Sequence, residues 1–110
     1  MLKKSQRLTT KEFDQFFKTG KRIHSPLLQL IYSPAEDFHG SAVVGKKIYK
    51  RAVDRNLYRR RLYNALYKLK QKTDLKGVYI LLLKPAAKGV SYAELEQAIV
   101  EVIGRIVNSR

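Results

Sequence analysis

The sequence predicts an α+β fold: a single two-layer sandwich of order αββ(β)αβα around a central, mostly antiparallel sheet. Three observations carry that expectation. Apolar residues recur at helical spacing in three segments, two of which open on a capping box. Short runs rich in Ile, Leu, Val and Tyr lie between them, bounded by Pro and Gly. The apolar fraction, 45%, is ordinary for a globular chain, and 110 residues bury roughly two-thirds of their unfolded surface, enough for one core. Residues 1–110 therefore read as one domain.

Thr9-Thr10-Lys11-Glu12 fits a capping box with Thr9 as N-cap, and Leu8 and Phe13 stand at the hydrophobic-staple positions. The first helix is expected over 10–18, stopping at Gly20. Phe13, Phe16 and Phe17 cluster on one side of it by i, i+3, i+4 spacing. Residues 27–32 read as a strand entered through Pro26 and ended by Ser33-Pro34, with a short extended piece at 21–24 as the optional extra strand. A polar turn over 35–40 leads to a strand over 41–46. From 51 to 70 the pattern is helical, with Tyr58, Leu62, Ala65, Leu66 and Leu69 on one face, and Gly77 is read as the break. The run 78–83 is uniformly apolar, as a central strand buried on both faces should be, and Pro85 ends it. Ser91 and Glu94 open the last helix, whose stripe is Leu95, Ala98, Ile99, Val102, Ile103 and Ile106.

Charge is the most informative feature. The chain carries 23 Lys and Arg against nine acids, a formal net charge of +14. Eleven of those cations fall between Lys46 and Lys72, where Asp54 is the one acid. The compact state repels itself, and a polyanion would relieve the repulsion, so nucleic acid is favoured as partner over small acidic molecules. Opposite the apolar stripe of the 51–70 helix lie Asn56, Arg59, Arg60, Tyr63, Tyr67 and Lys70, with Arg55 at the stripe's border. Guanidinium groups pair bidentately with phosphates, and tyrosines offer rings and hydroxyls to RNA. Lys46 and Lys47 extend the patch. A merely solvated helix face would normally interleave acids at i, i+4, and this one does not.

Other function classes are excluded or disfavoured. Without cysteine there are no disulfides or thiolate metal sites, and two histidines do not suggest zinc. The nine acids are scattered, with Glu36-Asp37 in a turn and Glu94-x-Glu96 at a helix start, so no catalytic residue and no metal ligand is assigned to the chain. The longest apolar run is far short of the ~20 residues that span a bilayer, and no apolar segment follows the basic N-terminus, so a cytoplasmic protein without membrane contact is expected. By composition Phe13 and Phe17 read as core residues, although three phenylalanines within five residues are many for a short helix to hide.

Taken together, Val44-Gly45-Lys46-Lys47-Ile48, Arg51-Ala52-Val53-Asp54-Arg55-Asn56 and Arg59-Arg60 closely resemble the signature of the bacterial ribonuclease P protein component, in which an Arg-Asn-Arg motif opens a long basic helix. Arg7-Leu8, Phe13-x-x-x-Phe17-Lys18-x-Gly20 and Lys84-Pro85 fit the same family in the same order, so the resemblance covers essentially the whole chain. It implies a ribosomal-protein-like sandwich with a left-handed βαβ crossover, against the general right-handed rule. It also implies that Lys46, Lys47, Arg51, Arg55, Asn56, Arg59 and Arg60 contact a catalytic RNA. Phe13, Phe17 and Tyr32 would line a cleft for the single-stranded 5′ leader of precursor tRNA. The implied partners are the catalytic ribonuclease P RNA and precursor tRNA, one protein per RNA, with Mg²⁺ held mainly by RNA and substrate phosphates. Leu57 and Tyr63 depart from the pattern, standing where the family has arginines. A general RNA-binding or ribosome-associated module is the alternative; a major-groove DNA reader lacks a helix-turn-helix to support it.

Overall fold

The computed structural model describes residues 8–108, with side chains to residue 106. Its elements are α1 (Thr10–Thr19), β1 (Lys21–His24), β2 (Leu28–Ser33), β3 (Phe38–Val43), α2 (Ala52–Thr73), β4 (Gly77–Leu83) and α3 (Tyr92–Asn108), with a 3₁₀ turn at Pro85–Ala87. The optional strand is thus present, and Arg7 lies outside the described residues. The sheet order is β1-β2-β4-β3. β1 and β4 both pair antiparallel with β2, whereas β3 and β4 are parallel and joined through α2.

The alternation of the strands builds two apolar layers. Leu28, Leu30 and Tyr32 of β2 and Tyr79, Leu81 and Leu83 of β4 face α2 and α3, where Leu62, Ala65 and Leu66 meet Leu95, Ile99, Val102, Ile103 and Ile106. Every residue of the expected α3 stripe is buried. On α2 the centre of the stripe is buried and its ends, Tyr58 and Leu69, are half-buried against the core. Ile31, Val78 and Ile80 point the other way and are covered by α1. The sandwich therefore has its two main layers plus a partial third: no residue of α1 is fully buried, so the helix lies on the sheet as a ridge with open flanks.

Local chemistry fixes the joints. Glu12 N–H donates to Thr9 Oγ1 at 3.2 Å and Thr9 N–H to Glu12 Oε1 at 3.0 Å, closing the expected capping box. Gly20 is required by close approach: a Cβ there would overlap Ile31 Cγ2 and sit 2.8 Å from the Phe16 carbonyl. The α1–β1 corner is thereby pressed onto the sheet.

Three expectations need correction. The strand read at 41–46 runs Phe38–Val43, because buried Phe38 packs on Tyr79 (centroids 5.8 Å apart) and draws the supposed polar turn into the sheet. Lys46 and Lys47 consequently lie beyond the strand, in a turn. The helix is ended by Asp74 in the left-handed conformation (φ 49) rather than by Gly77, whose own φ of 110 starts β4. Third, Tyr63, Tyr67 and Lys70 do not stand opposite the stripe. Both tyrosines pack against the core margin, and Lys70 Nζ lies 5.8 Å from the Phe38 ring centroid.

Candidate nucleic-acid interface

Because β3 and β4 run parallel, their C-terminal ends reach the same end of the sheet. The chain leaving β3 forms a turn in which the Ile48 and Tyr49 N–H groups both donate to the Gly45 carbonyl, at 3.1 and 3.3 Å. Ile48 is buried as the anchor, so Lys46 and Lys47 are held outward and exposed. The first turns of α2 follow, with Arg51, Asn56, Arg59 and Arg60 exposed. Arg59 Nη2 donates to Asn56 Oδ1, fixing two of these side chains relative to each other. Among the described residues, none of these Arg and Lys groups has a carboxylate partner; Lys68 pairs with Glu96 at 3.5 Å farther along α2. A polyanion would supply the missing countercharge.

Arg55 is held by the fold itself. Its Nη1 donates to the Tyr49 carbonyl at 3.1 Å and the Lys50 carbonyl at 2.6 Å, and the side chain is half-buried. It clamps the lysine turn to the helix. An aromatic column backs this clamp: Tyr49 stacks on Tyr58 (4.4 Å, 11°), Arg61 lies 5.0 Å from the Tyr58 ring centroid, and the Tyr49 hydroxyl accepts from Gly89 N–H at 2.9 Å. The neighbouring Tyr49 hydroxyl, and secondarily burial, raise the Tyr58 phenol above the usual tyrosine value. Arg61 places a positive charge four residues from Leu57 while packed on a ring.

The second part of the site is on the other sheet face. Phe13, Phe16 and Phe17 are all half-buried against Ile31, Val78 and Ile80, with the Phe13 and Phe17 rings stacked 5.6 Å apart. Half-burial reconciles the two readings of these rings: they complete a core layer and still offer aromatic surface. Beyond α1 this face continues over Leu82 and over His39, Ser41 and Val43 of β3, all half-buried. The Nδ1 atom of His39 is buried and without a partner among the described residues. Tyr32 is absent from this group. A strand alternates strictly, so the residue that packs with these rings is its neighbour Ile31, while Tyr32 is 8% exposed in the main core with its ring 5.2 Å from Tyr79. Sequence reasoning missed Arg22, whose guanidinium lies over Phe17 (4.8 Å) and whose Nη2 donates to the Phe17 carbonyl at 2.8 Å. The signal available was the single cation at an inward register position of a short strand, opposite Ile31.

A basic turn and helix start and a half-buried aromatic layer on one small sheet invite comparison with known proteins. The family model described as Ribonuclease P matches residues 2–107. The chain belongs to this family. It is 33% identical over 98 residues to the ribonuclease P protein component of a Nitratiruptor species, covering 89% of this chain and 88% of that one. It is 32% identical over 96 residues to the ribonuclease P protein component of Xylella fastidiosa, covering 86% and 70%. The fold is shared with the RNase P proteins of Staphylococcus aureus (TM-score 0.75, 17% identity, 94% and 96% covered) and Thermotoga maritima (0.79, 16%, 90% and 96%). Among the described residues no three His, Asp or Glu side chains gather as a metal site, and no helix is long and apolar enough to cross a membrane.

Proposed function

We propose that this ribonuclease P protein works as the RNA-binding subunit of the enzyme, assisting a catalytic RNA in endonucleolytic removal of the 5′ leader from precursor tRNA. The observation that carries the reading is the pairing of two surfaces on one sheet. Lys46, Lys47, Arg51, Asn56, Arg59 and Arg60 form a basic surface without carboxylate partners among the described residues, and the half-buried Phe13–Phe17 pair, which would line the leader cleft, lies on the sheet face opposite α2. A general RNA-binding module has use for the first and no evident use for the second.

The basic surface would neutralise phosphates where catalytic RNA and substrate approach, lowering the Mg²⁺ needed to bring them together. Mg²⁺ held by RNA and substrate phosphates would supply the activated water. The chain's own contribution is binding and orientation. Leader bases stacked on aromatic or guanidinium surfaces add about 1–3 kcal/mol each, and mature tRNA, having lost its leader, forgoes that binding. Substrate is thus distinguished from product. One protein per RNA in the cytoplasm completes the proposal.

The test is the affinity of the protein–RNA complex for precursor and for mature tRNA. A preference for precursor that disappears when the leader is trimmed supports the reading. Equal affinity for both would leave a general RNA-binding module.

A further inference from the structure

We propose that the base-stacking platform at the open end of the cleft is the guanidinium of Arg22 rather than the ring of Phe17. The inference rests on the leader-cleft reading above and names the residue that performs it. Side chains four apart on a helix lie one above the other, so the Phe13 ring covers Phe17 from the N-terminal side. The Phe17 carbonyl, like every helical carbonyl, points toward the C-terminus, and the guanidinium that donates to it lies on that side of the ring. Phe17 is therefore the middle layer of a stack running Phe13, Phe17, Arg22. The register supports this order, since Arg22 pairs with Ile31 and shares its α1-facing side of the sheet.

Arg22 is itself exposed. One N–H is bound to the Phe17 carbonyl and the guanidinium carbon lies 4.8 Å from the Phe17 ring centroid, while the residue as a whole stays open to solvent. A planar cation tethered at the edge of the aromatic layer and open to solvent offers a surface on which an unpaired nucleobase stacks, with a phosphate within the reach of the same group. Lysine would keep the charge and lose the plane.

The experiment measures precursor-tRNA affinity of the complex with ribonuclease P RNA for wild type, Arg22→Lys and Phe13→Ala, using precursors with a single abasic nucleotide moved along the leader. Arg22→Lys should lose about tenfold in precursor affinity while mature-tRNA affinity and salt dependence stay as in wild type. One abasic position should cost the wild-type protein a similar factor and cost Arg22→Lys nothing further. A wild-type-like Arg22→Lys, or one that keeps full sensitivity at every abasic position, overturns the platform. If Phe13→Ala removes the precursor preference and Arg22→Lys does not, the Arg22 inference alone falls. If neither removes it, the leader-cleft reading falls with it. Melting temperatures accompany each variant. Should Arg22→Lys fail to fold, Arg22→Gln and the abasic scan on wild type decide the same question, and a scan with no sensitive position refutes the proposal.

Discussion

Replacing Arg55 by alanine should destabilise the protein and leave its count of RNA phosphate contacts nearly unchanged, the reverse of what replacing Arg59 and Arg60 should do. Arg55 Nη1 makes two charge-assisted bonds, to the carbonyls of Tyr49 and Lys50. Such bonds contribute about 1.5–3 kcal/mol each when buried. Here they share one nitrogen and the side chain is only half-buried, so a loss of about 2 kcal/mol is reasonable. For a domain of this size that lowers Tm by roughly 10 °C. Arg59 and Arg60 are exposed and the former bonds to the equally exposed Asn56, so their joint replacement should move Tm very little. It should instead flatten the log–log salt dependence of RNA binding by up to about two phosphate contacts. Thermal denaturation and salt-titrated binding to ribonuclease P RNA, run on both variants, separate the roles. An Arg55→Ala protein that melts as wild type but loses a contact's worth of salt slope would refute the clamp.

Other outcomes follow from the same structure. Gly20→Ala adds a methyl group that overlaps Ile31 Cγ2 at an ordinary φ of −71, so the cost is steric alone, about 1–3 kcal/mol by denaturant unfolding. It should also lift α1 and weaken precursor binding; an unchanged midpoint would show that the corner has slack. Thr9 N–H holds the Glu12 carboxyl below the usual range, so its capping contribution is complete above about pH 4.3 and fades as pH falls through the lower folded value. Protection factors of the amides at the start of α1, in which the intrinsic pH dependence of exchange is divided out, should fall on that acidification and become insensitive to it in Glu12→Gln; pH-independent protection in the wild type would contradict the cap. Phe13→Ala should reduce precursor affinity more than affinity for the catalytic RNA, whereas Tyr32→Phe, deep in the core, should leave leader binding untouched, as titrations with both RNAs would show.

Much of this was legible in the sequence because several signals agreed at each place. The capping box at Thr9, the stripe from Leu95 to Ile106 and the uniformly apolar β4 each combine periodicity with a boundary residue. The misreadings share a physical origin as well. Period-two alternation turns a one-residue slip into a change of face, which put Tyr32 in the cleft in place of Ile31. A helical wheel shows what faces away from a stripe but not which loop returns to it, so Tyr63, Tyr67 and Lys70 looked exposed and the bonds of Arg55 to the Tyr49 and Lys50 carbonyls were not visible. Phe38 was hidden by polar neighbours until its partners on β4 were known. Arg22 carries no motif of its own; only the register opposite Ile31 and the nearby end of α1 give it a role.

The most direct measurement of the central claim is cleavage of precursor tRNA by a bacterial ribonuclease P RNA at low Mg²⁺, with and without this protein, on substrates with a full and a trimmed 5′ leader. Strong rescue by the protein that depends on the leader is the expected result. Tight RNA binding without rescue of the cognate RNA would contradict it, leaving the basic end of the sheet as a general RNA contact and Phe13 and Phe17 as part of the core.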